Sequence, residues 1–320
     1  MRYCATVEVQ EFGEQSMTAG WVRACLVGLA LLGACEPAGN DSAEGEATQT
    51  GASVPAYGSL QWAAAGEWRT DQERARDTWR KPADTLSFFG VEGSDTVVEL
   101  YPGGGWYTAV LGPYLKAGGG KLYAAHFDPA SSDYARTNLE AFRAAFVDRP
   151  ETFGDITVTV ASKTSEGVAP DGSADVVLTF RNVHNWMMGG FADKMFADAF
   201  RALKPGGVLG IEEHRLPSAR DQDPTGSTGY VQESFVIQLA EAAGFQFVGS
   251  SEINANPADT ADHPLGVWML PPTLRAPKSD DPLAATYSAD VYKAIGESDR
   301  MTLKFMKPMD AATPTPTPTP

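Results

Sequence analysis

Val97 to Leu111 reads V-V-E-L-Y-P-G-G-G-W-Y-T-A-V-L. Val97, Val98 and Leu100 suit a buried parallel strand, with Glu99 near its carboxyl end. Gly103, Gly104 and Gly105 allow a tight turn and a close backbone approach to a ligand. Beyond them Tyr107, Val110, Leu111 and Tyr114 recur at i, i+3, i+4 and i+7, one face of a helix. Pro113 is expected to kink or end it. Strand, glycine turn and helix N-terminus together make a nucleotide-like site at the carboxyl edge of a parallel sheet.

The stretch resembles the first motif of class I S-adenosylmethionine-dependent methyltransferases, E-x-G-x-G-x-G. Glu99 takes the acid position, and Gly103 and Gly105 take the last two glycines. Tyr101 stands where the first glycine belongs. The resemblance implies an α/β fold: a doubly wound, mostly parallel seven-stranded Rossmann-like sheet with helices on both faces. It implies S-adenosylmethionine as cofactor, with Glu99, Tyr101, Gly103, Gly104 and Gly105 around it.

Elements that follow keep the family's order. Residues 121–128, K-L-Y-A-A-H-F-D, read as a second strand. In the family an acid closing this strand holds the cofactor's ribose. Register puts His126 there, with Asp128 two residues on, so both are expected near the cofactor. A helix is expected over residues 134–147 and a third strand over 156–160. The family's adenine-side acid falls by spacing on Lys163, with Glu166 nearby. Residues 174–180 read as a fourth strand. Arg181, Asn182, Val183, His184, Asn185 and Trp186 follow, resembling the segment that faces cofactor and acceptor in quinone-type methyltransferases. Arg181, Asn182, Asn185 and Trp186 are thereby expected to bind substrate. The helical stripe of Met195, Phe196, Ala199, Phe200 and Leu203 is core. L-K-P-G-G at 203–207 stops that helix before a fifth strand, which ends in Glu212, Glu213, His214 and Arg215. Residues 230–243 read as a helix, 245–248 and 265–270 as the last strands, and 287–304 as one terminal helix. Before the glycine motif, residues 62–80 are helix-permissive. Arg74, Arg76, Asp77 and Arg80 read there as a solvated face, and Asp84 reads as the cap of a short helix.

Methyl transfer to an alcohol, phenol or amine requires a group that removes a proton. A neutral histidine suits that task, and His184 and His214 follow neighbouring strands at the ligand-binding edge. They are the catalytic candidates. Together with Glu213 they are also metal-donor types, but no helix carries an H-x-x-x-H spacing, and no metal is expected.

The net charge is −16 over 320 residues, with no basic stripe. That argues against nucleic-acid binding, which relies on Lys and Arg neutralising phosphates. A hydrophobic content of 43% is ample for a core. The three cysteines, Cys4, Cys25 and Cys35, all precede residue 36, so thiol chemistry is absent from the body of the chain.

Residues 21–34, W-V-R-A-C-L-V-G-L-A-L-L-G-A, place Arg23 before a short apolar core, as in a signal peptide. Leu32-Gly33-Ala34-Cys35 resembles the lipobox of bacterial lipoproteins, which implies lipidation at Cys35 and a periplasmic, membrane-anchored protein. Glu8, Glu11 and Glu14 do not suit the start of such a signal, so translation is expected to begin at Met17. The expected organisation is a signal region 1–35, a flexible linker 36–57, a methyltransferase-like domain 58–306 and a Thr-Pro tail 307–320. The first reading is an enzyme acting on a small-molecule acceptor, attached to the membrane only through its lipid. The second is a methyltransferase fold that binds a nucleotide-like or other small ligand without turnover. It follows from the displaced cofactor acids and from a domain lying outside the compartment where S-adenosylmethionine is made. Fold alone does not choose between them.

Overall fold

The computed structural model describes residues 54–310. The expectations about the signal region, Cys35, most of the linker and most of the Thr-Pro tail lie outside them. Eight strands make up the sheet: β1 (Thr96–Leu100), β2 (Lys121–His126), β3 (Ile156–Val160), β4 (Ala174–Phe180), β5 (Leu203–Leu216), β6 (Val231–Gln232), β7 (Gln246–Ser251) and β8 (Arg300–Met306). Seven run in the order β3-β2-β1-β4-β5-β8-β7, and the short β6 pairs with the end of β5. Strands β1 to β5 are parallel, and β8 lies antiparallel to both β5 and β7.

The glycine-motif strand sits near the middle of this order because both its faces are apolar. Val97 packs with Leu86, Phe89, Val110 and Leu111 on one side. Val98 and Leu100 pack with Trp186, Met195 and Phe196 on the other. Successive side chains of a strand point to opposite faces, so one V-V-E-L run feeds both cores.

Three expectations are corrected here. The final strand is Arg300–Met306, not residues 265–270, where the chain instead forms the 3-10 turn Gly266–Met269. Within the apolar run at 265–270, Val267 and Trp268 pack with Leu216, Tyr230 and Ala261. The terminal helix is only Ala289–Ile295. It stops at Gly296, before Met301, Leu303 and Phe305 take up strand alternation into the core. Asp84 lies inside the helix Pro82–Phe89, whose N-cap is Lys81 in the left-handed region; Pro82 sits in its first turn, where a missing N–H costs nothing.

The helix Thr108–Gly118 continues through Pro113. Pro113 cannot donate to the carbonyl of Ala109, four residues back. The indole N–H of Trp68 donates to that carbonyl at 2.7 Å, so the orphaned acceptor is satisfied from a neighbouring segment.

Candidate functional site

The glycine turn follows β1 at the carboxyl edge. Tyr101, Gly103 and Gly105 have φ of 52°, 56° and 82°. Tyr101 thus adopts the left-handed backbone expected of the glycine it replaces. A Cβ on Gly105 would lie 2.1 Å from the ring of Phe146, whereas one on Gly103 or Gly104 would meet nothing within 4 Å. Gly105 is therefore required for packing, while Gly103 and Gly104 face open space. That space is a cavity of about 490 Å³, lined among others by Arg76, Arg80, Tyr101, Gly103, Gly104 and Arg181.

Two side chains hold the turn from behind. Asn182 Nδ2 donates to the carbonyls of Leu100 at 3.1 Å and Tyr101 at 3.3 Å. His126 is buried. Its Nδ1 accepts from the Phe127 amide at 2.9 Å, which leaves Nε2–H to donate to the Gly103 carbonyl at 3.2 Å. Burial pushes this imidazole below its ordinary pKa, in keeping with one nitrogen that must accept. The expectation that His126 contacts cofactor is corrected: it shapes the turn and lines none of the cavities described. Glu99 likewise lies behind the turn, fully buried, accepting from Thr108 Oγ1 at 2.6 Å. Burial pushes its carboxyl up to about 7.

Asp128 lines a neighbouring cavity of about 390 Å³ with Tyr101, Phe127, Ser132 and Lys163. The Tyr101 ring divides the two spaces, 4.6 Å from Phe127 and 6.0 Å from Trp186. Trp186 is 1% exposed and packs against Phe196. It serves the core rather than a substrate, because the chain after β4 forms the helix Val183–Gly189 and turns the indole inward. Asn185 is exposed on that helix and donates to the Arg181 carbonyl at 3.4 Å.

His184 and His214 come together. Their rings are 5.3 Å apart, and both line a third cavity of about 240 Å³ with Arg80, Arg181, Trp268 and Ser298. Trp268 and Ser298 come from residues 252–299, the long connection between β7 and β8, which closes this end of the site. Glu213 is fully buried beside the histidines. Its Oε1 faces His184 Nδ1 at 2.9 Å and accepts from the His214 amide at 2.8 Å; its Oε2 accepts from the His184 amide at 3.3 Å. A carboxylate only accepts, so the His184 proton sits on Nδ1 and Nε2 keeps its lone pair. His214 Nδ1 pairs with Ser298 Oγ at 2.6 Å. Burial first, then His184 and the nearby arginines, hold His214 well below its ordinary pKa. His214 is thus a poor proton acceptor, which leaves His184, held by Glu213 at Nδ1, as the candidate base. Donor atoms of His184, Glu213 and His214 lie within 4.8 Å of one another. Both Glu213 oxygens are already engaged, and Arg80 and Arg181 line the same cavity, which disfavours a cation there.

The sequence reading missed a buried ionic network between the cavity at the glycine turn and the cavity at the histidines. Glu212 accepts from Arg181 Nη1 at 3.0 Å, Arg300 Nη1 at 2.9 Å and Tyr107 Oη at 3.1 Å. Glu297 accepts from Arg76 Nε at 2.6 Å and Arg80 Nε at 2.9 Å. Arg80 is therefore not on a solvated face: it is 5% exposed. The i, i+4 spacing of Arg76 and Arg80 places them side by side, but the acid that Arg80 meets lies 217 residues along the chain. No local signal marks that pair.

Residues 98–211 match the family model described as methyltransferase domain. No curated protein matches the chain. Among solved structures, the cyclase SpnF is 14% identical, with 76% of this chain and 85% of that one aligned at a TM-score of 0.50. A SAM-dependent methyltransferase from Aquifex aeolicus is 19% identical over 56% and 87% of the chains, at 0.42. A putative sarcosine dimethylglycine methyltransferase from Galdieria sulphuraria is 16% identical over 74% and 88%, at 0.48. At 14% identity the likeness to SpnF speaks for the fold alone. The domain match runs from Val98 in β1 to Ile211 in β5 and includes the glycine turn, and it indicates S-adenosylmethionine as the cofactor.

Proposed function

We propose that this chain is an S-adenosylmethionine-dependent methyltransferase that acts on a small-molecule acceptor from the periplasmic face of a bacterial membrane, anchored through a lipid on Cys35. One observation carries the catalytic part. The open cradle at Gly103 and Gly104 shares Arg80 and Arg181 with the cavity that holds a Glu213-backed histidine. A cofactor-sized space thus adjoins a base-bearing one. The residues present fit the cofactor. The turn has room above two glycines, and Asp128 lines the adjoining space where ribose and adenine would lie.

When bound, S-adenosylmethionine supplies a methyl group on a positively charged sulfonium. The chain supplies the rest. Backbone at Gly103 and Gly104 would cradle the amino-acid end, and the Asp128 carboxylate would accept from the ribose hydroxyls. His184 Nε2 would take the proton of the acceptor's hydroxyl or amine as that atom gains the methyl. Glu213, fixed at Nδ1, would stabilise the imidazolium that results. The long connection over His184 and His214 would exclude water from the acceptor.

Calorimetry with S-adenosylmethionine and S-adenosylhomocysteine tests this reading. Binding is expected in the parent protein and its loss in Gly104→Val, whose side chain enters the cradle. No affinity in the parent, or unchanged affinity in Gly104→Val, would sink it. The second reading, a binding module without turnover, is favoured by the Tyr101 ring at the first glycine's place. Binding of both compounds without transfer to any acceptor would decide for that.

A further inference from the structure

We infer that Arg80 and Arg181 form a two-guanidinium clamp that holds a carboxylate of the methyl acceptor beside His184. The inference rests on the methyltransferase reading and names the acceptor's class.

Both arginines line the cradle cavity and the histidine cavity, so they stand where the two spaces meet. Each is fixed at one end and free at the other. Arg80 is nineteen-twentieths buried, and among the described residues its side chain's only hydrogen bond runs from Nε to Glu297. Among the described residues its Nη1 and Nη2 have no protein acceptor. The Arg80 guanidinium carbon lies 4.8 Å from the Trp106 ring centroid, which orients the plane without using its N–H groups. Arg181 is tied through Nη1 to Glu212; among the described residues its Nε and Nη2 make no hydrogen bond. These free ends reach the cavities rather than being sealed in the core; the sealed donor without a partner in this cluster is Arg76 Nη2. Planar forks of this kind match a carboxylate's two oxygens.

Charge points the same way. Four guanidinium groups, Arg76, Arg80, Arg181 and Arg300, gather around Glu212 and Glu297, with Glu213 across the cavity at the histidines. Counting every carboxylate as ionised and the histidines as neutral, one positive charge is left over. Burial and the neighbouring Arg181 push the Arg80 guanidinium down to about 9, still protonated at neutral pH. The cofactor adds to the surplus, because its sulfonium and ammonium outnumber its carboxylate. An anionic acceptor brings it down. It would also be held with its nucleophile within the small cavity that His184 lines.

The test uses the full chain and calorimetry, with S-adenosylhomocysteine present and absent. The probes are benzoate and 4-hydroxybenzoate against their neutral amides, with inorganic phosphate as a second anion. The carboxylates are expected to bind at least tenfold more tightly than the amides. Arg181→Gln should erase that preference, and Arg181→Lys should keep part of it, since the charge remains and the fork is lost. Arg80→Gln should act likewise; because Arg80 also partners Glu297, its melting curve is recorded, and Arg181 carries the test if it unfolds. Equal binding of acids and amides, or a preference that survives Arg181→Gln, overturns the clamp. Tighter binding of phosphate than of either carboxylate overturns the carboxylate assignment. If Arg181→Gln weakens S-adenosylhomocysteine but not methylthioadenosine, which lacks the amino-acid end, the clamp serves the cofactor and the acceptor assignment falls. If S-adenosylhomocysteine does not bind the parent while the carboxylate preference stands, the methyltransferase reading fails and the clamp survives.

Discussion

Replacing Glu213 by glutamine removes one charge and one acceptor from a site with three donors. An amide has a single oxygen, and its placement follows from the distances. At the Oε1 position it keeps the bonds from His184 Nδ1 at 2.9 Å and the His214 amide at 2.8 Å. Its NH2 then opposes the His184 amide, whose bond is the longest of the three at 3.3 Å. The reverse placement forfeits both short bonds. Glu213→Gln should therefore fold, lose about 1 kcal/mol of stability, and leave the His184 proton on Nδ1. What it loses is the charge beside the imidazolium. A hydrogen bond to a charged group contributes roughly 1–1.5 kcal/mol more than a neutral one, so turnover should fall about tenfold. Glu213→Ala strands all three donors and frees the ring. It should lose a few kcal/mol of stability and roughly a hundredfold or more in turnover, the usual contribution of a positioned base. Nitrogen NMR of the imidazole reports the tautomer without any acceptor in hand, denaturant titration reports stability, and S-adenosylhomocysteine affinity should be unchanged in both variants. A parent protein with its proton on Nε2 would refute the reasoning, since the lone pair would then face Glu213 instead of the cavity.

Three further outcomes are expected. Glu99→Gln should change how stability depends on pH. The Glu99 carboxyl lies at about 7 in the fold against an ordinary 4.5, so its favourable contribution is complete below 4.5 and disappears as pH rises through 7. The variant should match the parent near pH 4 and exceed it by about 3 kcal/mol near pH 8; urea unfolding at both pH values checks this, and a pH-independent difference contradicts it. Asp128→Asn should weaken S-adenosylhomocysteine binding about ten- to a hundredfold, whereas His126→Asn should act on stability first, because that ring bonds the Gly103 carbonyl; a larger affinity loss in His126→Asn would count against the assignment. Cys35→Ser should abolish labelling of cells with a fatty-acid analogue and release the protein from membranes, and persistent labelling would remove the anchor.

Much of the fold was legible because the evidence for it is local. Strand β1 declares itself in V-V-E-L, and β3 and β4 end where alternation and turn residues put them. The far end was harder, for a stated reason. Residues 265–270 and 300–306 are both apolar enough to be a strand, and the choice lies in pairing. Strand β8 inserts between β5 and β7, which places Leu303 beside Ile211 and Ser250. No short window contains that information. The same limit explains His126. Register put it at the sheet edge correctly, but whether its ring turned toward the cavity or the core depended on Phe127 and Gly103 offering one donor and one acceptor.

The four histidines are conspicuous in sequence because they are few, and the glycine turn because three glycines stand together; arginines on a polar helix are not. Yet the arginines decide what can enter this site. Glu212 and Glu297 hold the forks in place, and with Glu213 they neutralise three of the four guanidinium charges. A fold that buried such a surplus merely for stability would gain more from apolar side chains of similar volume. Its persistence between a cofactor-sized cavity and a histidine is accounted for by a ligand that completes the charge. A carboxylate bound there would be stabilised by the same surplus that costs the empty site, and its neutral analogue would leave that cost in place. Selection of the acceptor by charge, with proton removal assigned to His184, therefore separates two tasks between two groups of residues. Arg181→Gln should impair binding of the acceptor, and Glu213→Gln should impair turnover once it is bound.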